Sequence, residues 1–349
     1  MPNFISEDEI EAAMLQRLQL TYGYDVQDCF TTDPADLNDG SGRTDKREVI
    51  LHDRLRAAVI DLNPAIPEAA IEDALKRLCD KRQALSPIAA NREVDGLIRD
   101  GLRVEFKDTQ GRTRKEQVKI IDFGNPAANQ FLAVSQLWIL GERGYRRPDI
   151  LLYINGLPLV FIELKNSNIK LKSAYDDNLT NYKAEIPQLF LANALCVLSN
   201  AIETRVGSLT AAWEHFFHWL RPEDEKEKIR REQIQAEGTS AERFLAGVCV
   251  KEKLLDYFEN FILYHKDTQK IIAQNHQFIG VNKGYEAFLG RETRGGRLGV
   301  FWHTQGSGKS FAMIFYARKI LRKCPGNFSF VVVTDREDLD GQIYRNFLN

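Results

Sequence analysis

The sequence is short of cysteine and has no long apolar run. Its five cysteines are scattered without paired spacing, which predicts neither a zinc site nor a disulfide framework. No apolar run approaches the roughly 18 residues that a membrane helix needs, and the acidic start lacks the apolar core of a signal peptide. An excess of one charge is also missing, because the formal net charge is -2. These absences predict a cytoplasmic protein without a membrane segment, in which any contact with nucleic acid depends on a local basic patch.

The length and composition predict more than one domain. The chain has 349 residues, of which 44% are hydrophobic and 28% charged, and single cores rarely grow beyond about 250–300 residues. Between residues 221 and 243 the composition changes to a dense run of charges, which is typical of a solvated helix or linker. We therefore predict an α/β domain over 1–220, a charged linker and connecting helix over 221–260, and the start of a second α/β unit over 261–349.

Periodicity and turn residues predict alternating helices and strands. Ser6 followed by Glu9 has the spacing of a capping box that opens a helix, and Gly23 ends that helix. The further predicted helices are 47–61, 67–80, 174–185, 250–265, 309–322 and 337–348. The predicted strands are 102–106, 117–123, 132–140, 194–199, 298–302, 328–334 and the two strands of a hairpin over 146–165. The turn of that hairpin is Asn155-Gly156, a dipeptide that readily supplies the positive φ angles of a tight turn.

An Asp, a Glu and a Lys lie near the open end of this hairpin. Asp149 opens the first strand, and Glu163 and Lys165 share one face at the end of the second, because side chains alternate along a strand. The hairpin folds Asp149 back toward Glu163, and two converging carboxylates are suitable ligands for Mg²⁺. Charged groups on an otherwise apolar hairpin are unfavourable unless they are paired or bound to a metal. The same pattern also fits a plain ion pair between Glu163 and Lys165.

A glycine-rich loop joins the predicted strand 298–302 to the predicted helix 309–322. Its residues are Thr304, Gln305, Gly306, Ser307, Gly308, Lys309 and Ser310. Glycines let backbone N–H groups surround phosphates, Lys309 can reach the β and γ phosphates, and Ser310 is suited to hold Mg²⁺. We therefore predict an ATP-binding P-loop, for which a chance glycine-rich turn is the alternative.

The spacing across the hairpin resembles the PD-(D/E)xK nuclease superfamily, because PD ends at Asp149 and ExK runs from Glu163 to Lys165. The resemblance implies a mixed sheet flanked by helices and metal-dependent cleavage of DNA. In that superfamily a helix follows the lysine strand, and the predicted helix 174–185 stands in that place.

Three further residues come from this resemblance. A glutamate of the first helix often approaches the metal in the superfamily, and Glu11 is the best match, with an ordinary surface glutamate as the alternative. Type I restriction nucleases add a Gln-x-x-x-Tyr motif on the helix after the lysine strand. The matching residues are Asn178 and Tyr182, of which the Asn keeps the amide but shortens its reach.

The nuclease pattern, followed by WHTQGSGKS and then VVVTDREDLDGQ, resembles the R (motor and restriction) subunit of type I restriction-modification enzymes. The resemblance covers most of the chain and implies that it corresponds to the N-terminal part of such a subunit, in which 261–349 begin a RecA-like helicase domain. It implies double-stranded DNA as the substrate, Mg²⁺ and ATP as cofactors, and specificity and methyltransferase subunits as partners. In this family the R subunit moves DNA at the expense of ATP and cuts it far from the recognition site.

Helicase-like features flank the P-loop. Gln277 stands about where superfamily 2 helicases place an adenine-reading glutamine, with a helix cap or a surface position as the alternative. Asp335-Arg336 resembles a helicase motif whose loop touches the DNA backbone, with a plain strand-to-helix turn as the alternative. The sequence contains no acidic Walker B strand and no second RecA-like lobe. We therefore expect these residues to bind ATP without hydrolysing it unaided.

Two other functions fit the same residues. One is a nucleotide-dependent regulator in which the cluster around Asp149 is structural, and the other is a DNA-association module whose P-loop is vestigial. The basic turn at 111–115 could contact DNA phosphates, and an ordinary solvated loop is its alternative.

Overall fold

The computed structural model describes residues 5–224, 226–228, 230, 234 and 240–333. Its helices are α1 Glu7–Tyr22, α2 His52–Leu62, α3 Glu68–Leu78, α4 Pro87–Asp100, α5 Thr180–Glu185, α6 Ser240–Phe244, α7 Lys251–Asn260, α8 Asn275–Leu289 and α9 Lys309–Lys323. Its strands are β1 Asp25–Asp28, β2 Leu102–Lys107, β3 Thr113–Val118, β4 Phe131–Ser135, β5 Ile139–Gly141, β6 Gly144–Arg146, β7 Ile150–Ile154, β8 Leu157–Leu164, β9 Leu195–Ser199, β10 Thr204–Gly207, β11 Phe217–His218, β12 Ile262–His265 and β13 Gln269–Ile272. The mixed α/β class predicted from the sequence is confirmed.

Seven strands form one mixed sheet in the order β1-β4-β7-β8-β9-β10-β11. Strand β7 pairs antiparallel with both β4 and β8, whereas β1 with β4 and β8 with β9 pair in parallel. Both β7 and β8 are buried along their whole lengths. Burial on both faces explains why these two strands read as continuous apolar runs in the sequence.

The predicted hairpin turn between β7 and β8 is confirmed. Asn155 has φ 50° and Gly156 has φ 77°, so both central residues lie in the left-handed region that such a turn requires. Glycine is needed at the second position for a further reason. A Cβ atom on Gly156 would lie 2.6 Å from the carbonyl oxygen of Leu51, where the chain enters α2.

The capping box at the start of α1 is also confirmed. The Ser6 side chain accepts the N–H of Glu9, the Glu9 side chain accepts the N–H of Ser6, and Gly23 ends the helix at φ 67°. The first turn is fastened to the segment after β8, since the N–H of Glu7 donates to Asn166 Oδ1 at 2.9 Å. This contact brings the start of α1 next to the end of β8.

Helix α7 packs into the same hydrophobic core as the large sheet. Phe258 of α7 stacks on Phe123 with ring centroids 5.8 Å apart. Phe261, directly after α7, contacts Phe315 of α9 at 5.7 Å. The helix that the sequence suggested as a connection therefore contributes to the core, while the domain bounds at 220 and 260 stay predictions.

Several predicted bounds are wrong for physical reasons. The predicted strand 117–123 is in fact β3, which begins at Thr113, because an exposed two-stranded ribbon pairs through its backbone and needs no apolar side chains. The predicted strand 132–140 stops at Ser135, because Gln136 has φ 55° and breaks the extended chain.

Two predicted helices are shorter than expected, and other elements were not predicted at all. The predicted helix 250–265 ends at Asn260, because its aromatic and β-branched end pairs with β13 as strand β12. The predicted helix 47–61 begins only at His52, because the chain turns at residues 46–47, bends at Ile50, and the N–H of Leu51 donates to the carbonyl of Gly156. Helix α4 was missed although Ser86 caps it and Pro87 opens it.

The predicted strand 298–302 is not formed. No described strand pairs with it, and the side chains of Val300 and Trp302 are 91% and 81% exposed. A strand requires hydrogen-bonding neighbours, and apolar residues alone do not supply them. The described part of 328–334 is likewise irregular, whereas Thr334, Asp335-Arg336 and the predicted helix 337–348 lie outside the described residues. Among the described helices, none is both long and apolar enough to cross a bilayer.

Candidate functional site

The structure brings Asp149, Glu163 and Lys165 together at the open end of the β7–β8 hairpin. Ile150 pairs with Ile162 across the hairpin, so Asp149 faces the end of β8. The N–H of Leu164 donates to Asp149 Oδ2 at 2.6 Å. The Nζ atom of Lys165 lies 3.4 Å from Glu163 Oε1. The convergence predicted from strand geometry is thus present.

Burial makes both carboxyl groups hard to ionise. Glu163 is only 2% exposed, and desolvation together with the nearby Asp149 raises its pKa well above the ordinary value. Desolvation also raises the pKa of Asp149 to about 6, although the N–H of Leu164 and the charge of Lys165 act against it. A buried and a half-buried carboxyl group that resist deprotonation are unfavourable for an isolated protein, and a bound cation would relieve that cost.

The donor set fits a hard divalent cation. Glu163 Oε2 is buried and has no hydrogen-bond partner within the described chain. No group of three or more His, Cys, Asp or Glu side chains there has the arrangement of metal ligands. A cation at this position would therefore take oxygen atoms from Asp149 and Glu163 and complete its shell with water, which is the kind of site that Mg²⁺ accepts.

Two glutamates of α1 lie beside this pair, one predicted and one missed. The carboxylate of the predicted Glu11 accepts a hydrogen bond from Gln136, and its role as a metal ligand stays a prediction. Desolvation raises the pKa of Glu11 to about 7, and the charges of Asp149 and Asp28 raise it further. Glu7 was not predicted, yet its Oε1 lies 3.8 Å from Lys165 Nζ. The capping-box helix was a signal for the position of Glu7, but only the fold brings it to the lysine.

Tyr182 lies against the site as a buried support. Its hydroxyl donates to the carbonyl of Arg147 at 3.2 Å, and its ring contacts Phe161 edge-on with centroids 5.6 Å apart. Burial raises the pKa of Tyr182, the charges of Glu163 and Asp149 raise it further, and a hydrogen bond with Asn178 acts against this. The structure thus places the predicted pair of Asn178 and Tyr182 together behind the carboxylates.

The glycine-rich loop has the backbone of a turn that leads into a helix. Gly306 and Gly308 have φ 79° and 76°, and Gly308 is the residue that precedes α9. The Nζ atom of Lys309 donates to the carbonyl oxygens of His303 at 2.8 Å and Thr304 at 3.2 Å. The lysine therefore folds back over the loop.

The side chain of Gln277 in α8 contacts the backbone of this loop. Its Nε2 donates to the carbonyl of Gly308 at 2.9 Å, and its Oε1 accepts the N–H of Gln274 at 2.8 Å in a capping box. The neighbouring His276 Nε2 lies 2.9 Å from the carbonyl oxygen of Ser307. The helix-cap alternative for Gln277 is therefore realised, and its contact with the P-loop is an additional one.

The basic turn at 111–115 is neutralised within its own hairpin. Arg112 and Arg114 both pair with Asp108 at 3.1 Å, and Lys115 lies 3.6 Å from Glu105. These exposed pairs are what a solvated ribbon would show.

Two family models match parts of this chain. A family model described as type I restriction enzyme R protein N terminus matches residues 4–215. A second model, described as SWI2/SNF2 ATPase, matches residues 276–349.

Curated relatives match along nearly the whole chain. The type I restriction enzyme HindI endonuclease subunit of Haemophilus influenzae is 39% identical, over 98% of this chain and 33% of the relative. The putative type I restriction enzyme MjaIXP endonuclease subunit of Methanocaldococcus jannaschii is 33% identical, over 98% of this chain and 34% of the relative. The chain thus spans about one third of the length of these relatives. The match of the first model to more than half of the residues shows that the chain belongs to the family of type I restriction enzyme R proteins.

Proposed function

We propose that this chain supplies the Mg²⁺-dependent nuclease site and the ATP-binding loop of a type I restriction complex that cleaves double-stranded DNA and moves along it. One observation carries the proposal. The half-buried Asp149 and the buried Glu163 lie together at the end of the hairpin, with an unpaired Glu163 oxygen and with Lys165 beside them. Most buried carboxylate oxygens in folded proteins have a hydrogen-bond partner, so the unpaired oxygen beside a second carboxyl group supports a site for a bound cation.

Each residue of the site has a role in this proposal. Asp149 and Glu163 would hold Mg²⁺, which when bound polarises a phosphate and acidifies a water molecule. Lys165 is 15% exposed, so its ammonium can orient the attacking water or stabilise negative charge on the phosphate. Tyr182 positions the chain before Asp149 through its hydrogen bond to Arg147, and Asn178 supports Tyr182.

The second site would bind ATP on a RecA-like domain. The proposal assigns phosphates to the loop from Thr304 to Gly308 and to Lys309, a Mg²⁺ ion to Ser310, and the base to the side of Gln277. The match of 276–349 to an ATPase model supports this assignment. The proposal also includes a PD-(D/E)xK fold for 1–220 and a linker at 221–260. It takes specificity and methyltransferase subunits as partners in the cytoplasm.

Substitution of Lys165 tests the nuclease assignment. The full-length R subunit with Lys165→Ala would be combined with its partner subunits on circular DNA that carries a recognition site. We expect cleavage to fall by at least about a hundredfold, the usual size of an electrostatic or acid–base contribution. The ATPase rate in the same reaction should stay at the wild-type level, because Lys165 lies outside the P-loop.

Lys76→Ala is the matched control, since it removes an exposed lysine of α3. It should leave both cleavage and ATP hydrolysis unchanged. Cleavage by Lys165→Ala at the control rate would show that the hairpin cluster is structural. That result would favour the alternative function, a nucleotide-binding module that associates with DNA but does not cut it.

A further inference from the structure

Arg147 is an arginine whose guanidinium lies against two aromatic rings of the protein. Its guanidinium carbon lies 5.1 Å from the ring centroid of Phe30 and 4.9 Å from that of Trp138. Across the described residues its side chain makes no hydrogen bond and no ion pair. Cation–π contacts fix a guanidinium in position without giving its five N–H donors an acceptor oxygen. These donors remain available for a ligand.

Backbone hydrogen bonds hold the main chain from Arg147 to Asp149 in place. The carbonyl of Arg147 accepts the Tyr182 hydroxyl, and the carbonyl of Asp149 accepts the N–H of Gln136 at 3.0 Å. Pro148 lies between them and has a restricted φ angle. Two residues of extended chain span about 7 Å at most. Arg147 is therefore one short step along the chain from the carboxylate pair.

The neighbouring Arg146 shows why Arg147 is different. Arg146 forms an ion pair with Glu185 at the end of α5 and so is used within the fold. Trp138 donates its Nε1 proton to the carbonyl of Thr31 at 3.0 Å, which fastens the loop that carries Phe30. Phe30 is nevertheless 52% exposed, so an aromatic face remains at the surface beside the charge. An unpaired guanidinium next to an exposed ring is suited to a phosphate and the sugar attached to it.

We propose that Arg147 binds a DNA backbone phosphate close to the scissile one, with Phe30 and Trp138 holding its guanidinium in place. This inference rests on the proposed nuclease function, because it takes the ligand to be the DNA strand that enters the carboxylate site. The bidentate geometry of arginine suits a phosphate better than a lysine would. The contact would orient the strand on the carboxylate pair and would not read the base sequence.

The test separates phosphate binding from cleavage by using a protein that is not expected to cut. Full-length R subunit carrying Lys165→Ala would be titrated with a short fluorescent duplex at several salt concentrations, without ATP or partner subunits. Adding Arg147→Met keeps an aliphatic chain against the two rings and removes the charge. We expect the slope of log affinity against log salt to become less negative by about 0.9, the value for one lost phosphate contact.

Arg143→Met is the matched control, because Arg143 is an exposed arginine in the nearby β5–β6 turn. It should leave the slope unchanged. A slope for Arg147→Met equal to that of the control would overturn the inference. This result stays distinct from a failure of the proposed function, which is decided by cleavage with Lys165→Ala alone.

Arg147→Lys excludes a purely structural effect. It keeps one positive charge, so in the Lys165→Ala protein the salt slope should return to the value measured before Arg147 was changed. In a protein with the native Lys165, cleavage by Arg147→Lys should stay reduced, because lysine lacks the two-pronged guanidinium. The Mg²⁺ concentration for half-maximal cleavage should not change, since the carboxylate pair is intact. The proposal would be overturned if Arg147→Lys made the salt slope as shallow as Arg147→Met does. Cleavage at the wild-type rate by Arg147→Met would overturn it as well.

Discussion

At the scale of single residues, the carboxyl groups of Asp149 and Glu163 are the chemically unusual feature of this protein. Both have a raised pKa, chiefly because burial disfavours the charged form. A proton and a divalent cation therefore compete for the same oxygen atoms. The metal-free protein gains stability from these groups at acid pH. That contribution is lost as the pH rises through about 6 for Asp149 and through a higher value for Glu163.

This competition predicts a pH-dependent stabilisation by Mg²⁺. In the absence of nucleotide, the rise in unfolding temperature caused by Mg²⁺ should be larger at pH 8 than at pH 6, because fewer protons then occupy the carboxylates. Glu163→Gln should abolish the rise and should stabilise the metal-free protein at pH 8 by on the order of 1 kcal/mol. Differential scanning fluorimetry at both pH values measures each effect.

The control for this prediction is Glu242→Gln, which alters an exposed glutamate of α6 that pairs with Arg17. It should respond to Mg²⁺ as the wild type does. If Glu163→Gln also kept the full response, the cation would have to bind elsewhere.

At the scale of elements, ion pairs hold α9, the helix after the glycine-rich loop, against α7. Lys319 Nζ lies 2.6 Å and 2.7 Å from the two carboxylate oxygens of Asp256 and 2.6 Å from Asn282 Oδ1. Lys323 pairs with Glu259 one turn further along. Since α7 also packs on the core of the large sheet, the helix that begins at the P-loop is fixed to that core at its other end.

This arrangement predicts that Lys319 contributes strongly to stability. Lys319→Ala would leave Asp256 half-buried beside a vacated site, and we expect a loss of about 2–4 kcal/mol in the free energy of unfolding. Urea unfolding followed by circular dichroism measures the loss. Lys172→Ala is the control, because it breaks the exposed pair between Lys172 and Asp176 and should cost under about 1 kcal/mol. Equal effects of the two substitutions would contradict the prediction.

At the scale of the whole molecule, two chemically separate sites share one chain. The carboxylate site lies on the β7–β8 hairpin, and the phosphate loop lies before α9. Within the described residues, no hydrogen bond joins Asp149, Glu163 or Lys165 to the loop of residues 304–310. A change in one site should therefore leave the chemistry of the other intact.

We predict that Lys309→Ala abolishes measurable ATP binding and leaves the carboxylate site unaffected. Lys309 folds over its own loop, and removing it takes away the charge that would meet the β and γ phosphates. Isothermal titration with ATP and Mg²⁺ measures the loss, while Mg²⁺ binding at the carboxylate pair should persist. Lys323→Ala, at the far end of the same helix, should bind ATP normally. An undiminished titration curve with Lys309→Ala would mean that the P-loop is vestigial.

Local interactions explain which elements could be predicted. The turn at Asn155-Gly156, the capping box at Ser6 and the start of α9 after Gly308 depend on residues only a few positions apart. The predicted strand 298–302 and the predicted end of helix 250–265 failed, because both depend on pairing with a distant or an unrecognised strand.

The sequence by itself determined which groups can come together: Asp149, Glu163, Lys165 and the glycine-rich loop could be predicted because strand alternation and turn geometry fix their spacing. Only the tertiary structure decided how far those groups are desolvated. It also decided that Glu7 reaches Lys165 and that Phe30 and Trp138 hold Arg147. Burial and long-range contacts arise from the packing of segments that are far apart in the chain, and no local pattern encodes them.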